Sequence, residues 1–155
     1  MNVGIVVYSQ TGNTLSVCED LKGKLAAAGH TVSLDRVSVA GERTGGERDF
    51  QLDGRPSIAS YDVVIFGAAV EAFSLSPVLT DYLKQTDALE GKRVGCLVTQ
   101  AFPFPWLGGN RAIRQMRKLC QAKGGSVYAT GIVNWPPSRR EATQASAIAS
   151  LSALS

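Results

Sequence analysis

Apolar, β-branched runs alternate along the chain with stretches whose apolar residues recur at helical spacing, and this alternation restricts the fold more than any other feature. The runs predict strands over residues 3–8, 31–37, 61–69, 93–99 and 126–133. The stretches between them predict helices over residues 14–28, 77–86 and 110–123, with a last helix that begins at residue 138. Because the strands are nearly apolar throughout, helices must cover both faces of their sheet. We therefore expect an α/β, doubly wound fold with a five-stranded parallel sheet.

Local signals place the ends of several helices. Gly29 follows the first helix, at the position where a left-handed residue ends many helices. Ser76 and Pro77 supply an N-cap and a first-turn proline for the second helix. Ser138 and Glu141 have the spacing of a capping box, which predicts the start of the last helix.

The composition predicts a single domain over residues 1–155, since 155 residues with 45% hydrophobic content can bury most of their surface. Residues 39–60 show no regular period and predict a long irregular connection inside this domain. No apolar run approaches the ~18 residues of a membrane span, and no signal peptide is recognisable, so we expect a cytoplasmic protein without membrane contact. The cysteines are far apart in the sequence and are expected to be buried free thiols: Cys18, Cys96 and Cys120.

Charge is distributed unevenly along the chain. Residues 1–91 contain 7 Lys or Arg against 12 Asp or Glu, whereas residues 92–155 contain 9 against 1. Such a basic half would suit nucleic acid or an acidic protein as a partner. Arg111, Arg114 and Lys118, however, recur at helical spacing, which is typical of the solvated face of an amphipathic helix. We therefore do not expect nucleic-acid binding.

Ligands of a doubly wound sheet bind outside the carboxyl ends of its strands. The loops at this edge are those over residues 9–13, 68–75 and 100–109. The first loop has one glycine among hydroxyl and amide side chains, and it lies before the free N–H groups of a helix, which predicts an anion site without Lys or Arg. Its polar residues are Ser9, Thr11, Asn13 and Thr14 around Gly12. The pattern is neither a Walker loop nor G-x-G-x-x-G, and the alternative is a turn and helix cap without a ligand.

The stretch V-V-Y-S-Q-T-G-N-T, residues 6–14, resembles the phosphate loop of the flavodoxins, which bind FMN noncovalently and carry electrons through its flavin ring. The resemblance extends by pattern over essentially the whole chain and includes the uninterrupted fifth strand of the short-chain members. It implies the strand order 2-1-3-4-5, with helices on both faces of the sheet. It also implies that the FMN phosphate is wrapped by Ser9, Gln10, Thr11, Gly12, Asn13 and Thr14.

The second loop, G-A-A-V-E-A-F-S-L-S-P, lies where flavodoxins often carry a Gly-Ser-Pro-x-aromatic stretch. The resemblance implies flavin contact for Ala68, Ala69, Val70, Glu71, Ala72 and Phe73. The chain departs from the family pattern here, because two alanines replace Ser-Pro and Glu71 stands where a stacking aromatic is common. Phe73 is then the candidate for the stacking ring, and the alternative is that Phe73 belongs to the core.

The third loop, T-Q-A-F-P-F-P-W-L-G-G-N, separates its aromatic residues with prolines, so these residues cannot all lie inside a strand or helix. Flat apolar faces and backbone groups are what an isoalloxazine ring needs for stacking and for its pyrimidine edge. The candidates for flavin contact are Thr99, Gln100, Ala101, Phe102, Phe104 and Trp106. We expect Trp106 or Phe104 to face the flavin or a partner and Phe102 to be the more buried ring. The alternative is that all three rings only pack against the domain.

Three functions remain open on these observations. The first is an FMN-binding electron carrier, a monomer or a homodimer, which docks a redox partner protein; an acidic partner is one option. The second is an NAD(P)H-dependent FMN or quinone reductase, which an excess of Arg and Lys would suit. The third is a binding module that has kept the fold but takes no flavin. We expect a carrier rather than a stand-alone enzyme, with no catalytic residue and no metal site of its own.

Overall fold

A computed structural model describes residues 1–43 and 49–154. Its strands are β1 (Asn2–Val7), β2 (Thr31–Arg36), β3 (Ser38–Val39), β4 (Leu52–Gly54), β5 (Val63–Glu71), β6 (Ser74–Leu75), β7 (Arg93–Gln100) and β8 (Ser126–Asn134). Its helices are α1 (Asn13–Ala27), α2 (Pro77–Gln85), α3 (Gly109–Ala122) and α4 (Pro137–Ser152). In the described ranges, no helix has the length and apolar character that crossing a membrane requires.

The prediction of a doubly wound, five-stranded parallel sheet is confirmed. The order β2-β1-β5-β7-β8 corresponds to the expected 2-1-3-4-5, and β6 adds a short antiparallel pairing at the end of β5. One buried cluster lies between the sheet and the pair α2 and α3, and it includes Phe66 and Met116. The other lies between the sheet and the pair α1 and α4, and it includes Leu21 and Leu151. Both faces of the sheet are covered, which is why successive residues of the central strands are apolar.

The last helix begins one residue before its predicted start, and the predicted capping box is wrong. α4 starts at Pro137, and Pro136 occupies the N-cap position without a side-chain hydrogen bond. The N–H groups of Arg139 and Arg140 donate to the carbonyl of Pro136 at 2.9 and 3.0 Å. A proline at the first helical position already has a helical φ, so the helix starts ahead of Ser138.

α2 begins after Ser76, as predicted, with Pro77 as its first residue. The Ser76 side chain caps nothing, however, because its hydroxyl is fully buried and has no hydrogen-bond partner among the described residues. The backbone of Ser76 makes the contacts instead: its N–H donates to the Ala69 carbonyl at 3.1 Å, and its carbonyl accepts from the Thr80 N–H at 3.0 Å. Ser76 therefore connects α2 to β5 through its main chain.

The predicted irregular connection over residues 39–60 contains a short antiparallel pair, in which Val39 of β3 lies opposite Leu52 of β4. Apolar side chains of this segment pack against the cluster beneath α2 and α3. The part of the prediction that covers residues 44–48 lies outside the described residues. The segment brings Arg43 to the carboxyl end of β5.

All three cysteines are buried free thiols, as predicted. Burial, and to a lesser extent the charge of Glu19, raises the pKa of the Cys18 thiol to about 12. This thiol therefore stays protonated at neutral pH.

Candidate functional site

A cleft of about 330 Å³ lies at the carboxyl ends of β1, β5 and β7, where the three candidate loops meet. Twelve of the predicted site residues line it: Ser9, Gln10, Thr11, Asn13, Thr14, Ala69, Val70, Glu71, Ala72, Thr99, Gln100 and Ala101. Tyr8 and Trp135 also line it and are not among the predicted residues. A concave site of this size, at the edge where the strand order reverses, is the usual ligand position in a doubly wound sheet.

The loop after β1 turns sharply into α1 at Gly12, whose φ of 95° is left-handed. The Ser9 hydroxyl oxygen accepts hydrogen bonds from the N–H groups of Gly12 and Leu15, at 3.1 and 3.2 Å. The N–H groups of Asn13 and Thr14 have no acceptor in the part of the chain that the structure describes. They lie in the first turn of α1, at the positive end of its dipole. The loop can therefore bind an anion through its backbone.

Thr14 and Thr99 join the first loop to the third at the base of the cleft. Their hydroxyl oxygens lie 2.7 Å apart, and both residues are buried. The Thr14 hydroxyl is therefore engaged within the protein. Thr11, in contrast, is exposed, which leaves its hydroxyl accessible to a ligand.

Gln100 holds the third loop from below. Its buried side-chain nitrogen donates to the carbonyls of Phe102 and Phe104 and to the side-chain oxygen of Asn134. Its side-chain oxygen is buried without a partner in the described structure, and a Cβ on Gly109 would lie 2.8 Å from that oxygen. Gln100 therefore sets the path of the loop that carries the aromatic residues, and glycine at position 109 lets α3 begin next to it.

The loop after β5 is a tight hairpin, because β5 continues two residues beyond its predicted end and pairs with β6. The two residues at the tip, Ala72 and Phe73, have φ values of 49° and 62°. Positive φ at both tip positions is the pattern of a type I′ turn, which Asn and Gly adopt more readily than Ala or Phe. A Cβ on Gly108 would lie 2.9 Å from the Phe73 Cα. The second and third loops therefore meet at this tip.

Glu71 lies in the cleft wall, where its carboxylate forms a bidentate ion pair with Arg43. The Arg43 Nη2 and Nη1 atoms donate to the two carboxylate oxygens at 2.6 and 3.2 Å, and the Arg43 side chain is 2% exposed. Nη1 also donates to the Tyr8 hydroxyl at 3.3 Å, and the Gln10 side-chain nitrogen donates to the Arg43 carbonyl. Burial lowers the pKa of Arg43, but hydrogen bonds to Glu71 and Tyr8 outweigh burial and raise it. A neutralised ion pair therefore forms this part of the cleft wall.

Four aromatic side chains form two stacked pairs at the mouth of the cleft. Phe73 lies parallel to Phe102, with ring centroids 5.4 Å apart and 3° between the planes, and Phe104 lies parallel to Trp106, at 5.3 Å and 5°. Phe73 is 52% exposed, so the alternative that it belongs to the core is wrong. The expectation that Phe102 is the more buried ring of the third loop is also wrong. Phe104 is 36% exposed against 43% for Phe102, because Phe104 is covered by both Trp106 and Arg139.

The other predicted site residues surround the cleft without lining it. Gly12 shapes the first loop, and Ala68 is fully buried within β5. The aromatic residues lie beside the cleft: Phe73, Phe102, Phe104 and Trp106. Contact of any of these residues with a cofactor stays a prediction.

Trp135 and Arg43 complete the site and are not among the predicted residues. Trp135 follows β8 directly, its N–H donates to the Gln100 carbonyl at 2.9 Å, and the Arg140 guanidinium lies 4.2 Å from its ring centroid. Because Trp135 stands at the carboxyl end of a strand, the rule that locates the other loops could have found it. Arg43 lies in a segment without a period, and no local signal places it near Glu71.

The chain matches no protein-family model and no curated protein, but it matches solved structures closely in fold. A flavodoxin from Streptococcus pneumoniae superimposes with a TM-score of 0.69 at 15% identity, over 99% of this chain and 99% of that one. A flavoprotein from Lactobacillus acidophilus, solved in complex with FMN, has a TM-score of 0.63 at 15% identity, over 84% and 92% of the two chains. Two-electron reduced flavodoxin from Megasphaera elsdenii has a TM-score of 0.60 at 25% identity, over 96% and 98%. The chain therefore has the short-chain flavodoxin-like fold.

Proposed function

We propose that this protein binds FMN noncovalently in the cleft and exchanges electrons through it with a partner protein. The observation that carries the proposal is a pair of N–H groups, those of Asn13 and Thr14, that have no acceptor among the described residues and lie in a cleft whose mouth carries stacked aromatic rings. An anion site and flat apolar surfaces side by side match the two ends of a flavin mononucleotide. The Lactobacillus acidophilus flavoprotein, which shares the fold, is described in complex with FMN.

The loop over residues 9–14 fits the phosphate group. A phosphate dianion accepts several hydrogen bonds, and the loop offers the N–H groups of Asn13 and Thr14 and the exposed hydroxyl of Thr11. The dipole of α1 adds positive charge at the same point, so the loop needs no Lys or Arg. A hydrogen bond to a charged acceptor contributes about 1.5–3 kcal/mol. Loss of one such bond should therefore weaken binding about tenfold or more.

The aromatic residues at the mouth fit the flavin ring. Phe73 and Phe102 present flat, exposed faces, but their 5.4 Å centroid separation leaves no room for a third ring between them. Insertion would require the two planes to be about 7 Å apart, since stacked carbon atoms lie about 3.5 Å from each other. The pair could therefore hold a flavin ring on one of its outer faces, or between its two members only if they moved apart. When bound, FMN supplies reversible one- and two-electron transfer.

The ion pair between Arg43 and Glu71 affects the expected reduction potential. Glu71 is the only carboxylate in the three loops that meet at the cleft, and its charge is compensated. A free carboxylate beside the ring would oppose the negative charge of a reduced flavin. We therefore expect reduction to be easier here than beside an unpaired carboxylate.

Titration of the purified protein with FMN tests the proposal. We expect quenched flavin fluorescence and flavin absorbance that co-elutes with the protein. Riboflavin, which lacks the phosphate, should bind at least about tenfold more weakly. Equal affinities for FMN and riboflavin would contradict the role of the first loop, and a protein that takes up no FMN would be a flavin-free binding module.

A second candidate function, an NAD(P)H-dependent flavin or quinone reductase, is favoured by two arginine side chains beside the cleft. The guanidinium groups of Arg139 and Arg140 lie over the rings of Phe104 and Trp135. Guanidinium groups in such positions could hold the phosphate of a nicotinamide cofactor. A carrier should not oxidise NADPH on its own, so sustained NADPH oxidation by the FMN-loaded protein with a quinone acceptor would assign the reductase.

A further inference from the structure

Well-exposed large apolar side chains are concentrated at one place in the described structure. Apart from Met1, they are Phe73, Phe102, Phe104 and Trp106, which we call the aromatic patch. The four rings stack on one another in pairs at the mouth of the cleft, and each remains at least 36% exposed. A contiguous exposed apolar patch marks an interaction surface, whereas single exposed apolar residues are ordinary.

Basic residues border the aromatic patch. The Arg139 guanidinium lies 4.9 Å from the centroid of one patch ring. Arg111 and Arg114 are exposed in the first two turns of α3, which begins where the third loop ends. We call these three residues the basic rim. The only carboxylate in the three loops, that of Glu71, is held in its ion pair, so the three arginines face no free carboxylate from these loops.

We propose that the aromatic patch and the basic rim dock an electron-exchange partner whose contact surface is acidic. The electron step rests on the proposed function, whereas the docking step does not. Opposite charges on the two borders accelerate encounter by about 10- to 1000-fold at low salt, and aromatic side chains at the centre act as anchors. A basic partner meets the same rim with like charge and is disfavoured.

Two small haem proteins of opposite charge serve as probes: the acidic haem domain of cytochrome b5 and the basic cytochrome c. Each is titrated into flavin-free, isotope-labelled protein at low ionic strength, and the NMR signal of the Trp106 indole N–H is followed. We expect cytochrome b5 to shift this signal, with an affinity that falls as salt is added, and cytochrome c to leave it unchanged. This experiment needs no flavin, so its outcome is independent of FMN binding.

Stopped-flow mixing of the reduced, FMN-loaded protein with either ferric cytochrome tests the electron step. One electron passes from the reduced flavin to each ferric haem, which becomes ferrous, and no covalent bond forms or breaks. The second-order rate constant with cytochrome b5 should fall as ionic strength rises, whereas the rate constant with cytochrome c should rise.

Charge reversal on the basic rim locates the effect. Arg111→Glu/Arg139→Glu should lower the rate constant with cytochrome b5 at least about tenfold at low salt. The matched control is Lys22→Glu/Lys118→Glu, which makes the same change in net charge at exposed positions in the later turns of α1 and α3. This control should change the rate constant less than about twofold.

Substitution of Trp106 tests the apolar centre. Trp106→Ala should weaken cytochrome b5 binding and leave the melting temperature unchanged, because the ring is 69% exposed. Equal affinity and salt dependence for the two cytochromes would overturn the proposal. It would also be overturned if Arg111→Glu/Arg139→Glu and Lys22→Glu/Lys118→Glu changed the rate constant with cytochrome b5 equally. A wild-type protein that sediments as a dimer, with a monomeric Trp106→Ala variant, would assign the patch to a second copy of this chain instead.

Discussion

Replacement of Glu71 by Gln should destabilise the protein, because it leaves the charge of Arg43 buried without its carboxylate. The two side chains are 2% and 13% exposed, so water can replace the lost carboxylate only in part. Removal of one member of a buried ion pair costs about 3–5 kcal/mol. Gln keeps one acceptor oxygen, and Arg43 still donates to the Tyr8 hydroxyl. We therefore expect a loss near the lower end of this range, about 3 kcal/mol.

Urea unfolding, followed by circular dichroism, measures this loss as a lower midpoint at an unchanged m value. A loss of about 3 kcal/mol corresponds to a melting temperature about 6–12 °C lower for a protein of this size. The control is Glu90→Gln, the same chemical change at an exposed residue. Its stability should stay within about 0.5 kcal/mol of the wild type.

The double variant Arg43→Met/Glu71→Gln distinguishes the loss of the Glu71 carboxylate as the counter-charge of Arg43 from a general loss of contacts. If the buried charge of Arg43 causes the destabilisation, the double variant should be more stable than Glu71→Gln alone. The reasoning would be refuted by a Glu71→Gln variant within about 0.5 kcal/mol of the wild type. A double variant that loses the sum of the two single effects would refute it as well.

Other residues of the cleft and the core give shorter tests. Thr11→Ala should weaken FMN binding about tenfold in a fluorescence titration and leave riboflavin binding unchanged, because only FMN has a phosphate; equal losses for both ligands would remove Thr11 from the phosphate site. Phe102→Ala should weaken FMN binding by about 0.5–1.5 kcal/mol, the contribution of an aromatic contact. Unaltered affinity would show that Phe102 packs the third loop and does not contact FMN. Ser76→Ala should keep or raise the melting temperature, since the buried hydroxyl has no partner among the described residues. If urea unfolding showed a loss of stability above about 1 kcal/mol, the hydroxyl would have a hydrogen-bond partner. Cys18, whose thiol has a pKa raised to about 12 by burial, should react with an aromatic disulfide reagent only after unfolding, and a rapid reaction of the native protein would contradict its burial.

The sheet and the first loop could be predicted because both depend on patterns that are local in the sequence. The apolar run from Val63 to Phe66 identifies a central strand without reference to the rest of the chain. Gly12, between hydroxyl residues and a helical period, identifies a turn at a helix N-terminus. The position of the cleft then follows from the rule for doubly wound sheets.

The hairpin and the ion pair could not be predicted, because they depend on contacts between distant residues. Ala72 and Phe73 adopt a left-handed φ that their residue types disfavour, and the pairing of β5 with β6 imposes it. Arg43 reaches Glu71 across 28 residues, from a segment without a period. The greater burial of Phe104 comes from its contacts with Trp106 and Arg139, which no local pattern reveals.

The strained hairpin tip makes the position of the Phe73 ring depend on residues that do not themselves line the cleft. A non-glycine residue in a left-handed conformation costs on the order of 1–3 kcal/mol. This cost is offset in part by the Gln115 side chain, which accepts the Leu75 N–H at 2.8 Å, and the lack of a side chain at Gly108 leaves room for the tip. Substitution of Gln115 would remove a contact that holds the tip, and a side chain at position 108 would press against the tip, so either change would move the ring. Descendants of this chain could therefore diverge in ligand affinity while all the residues that line their clefts stay identical.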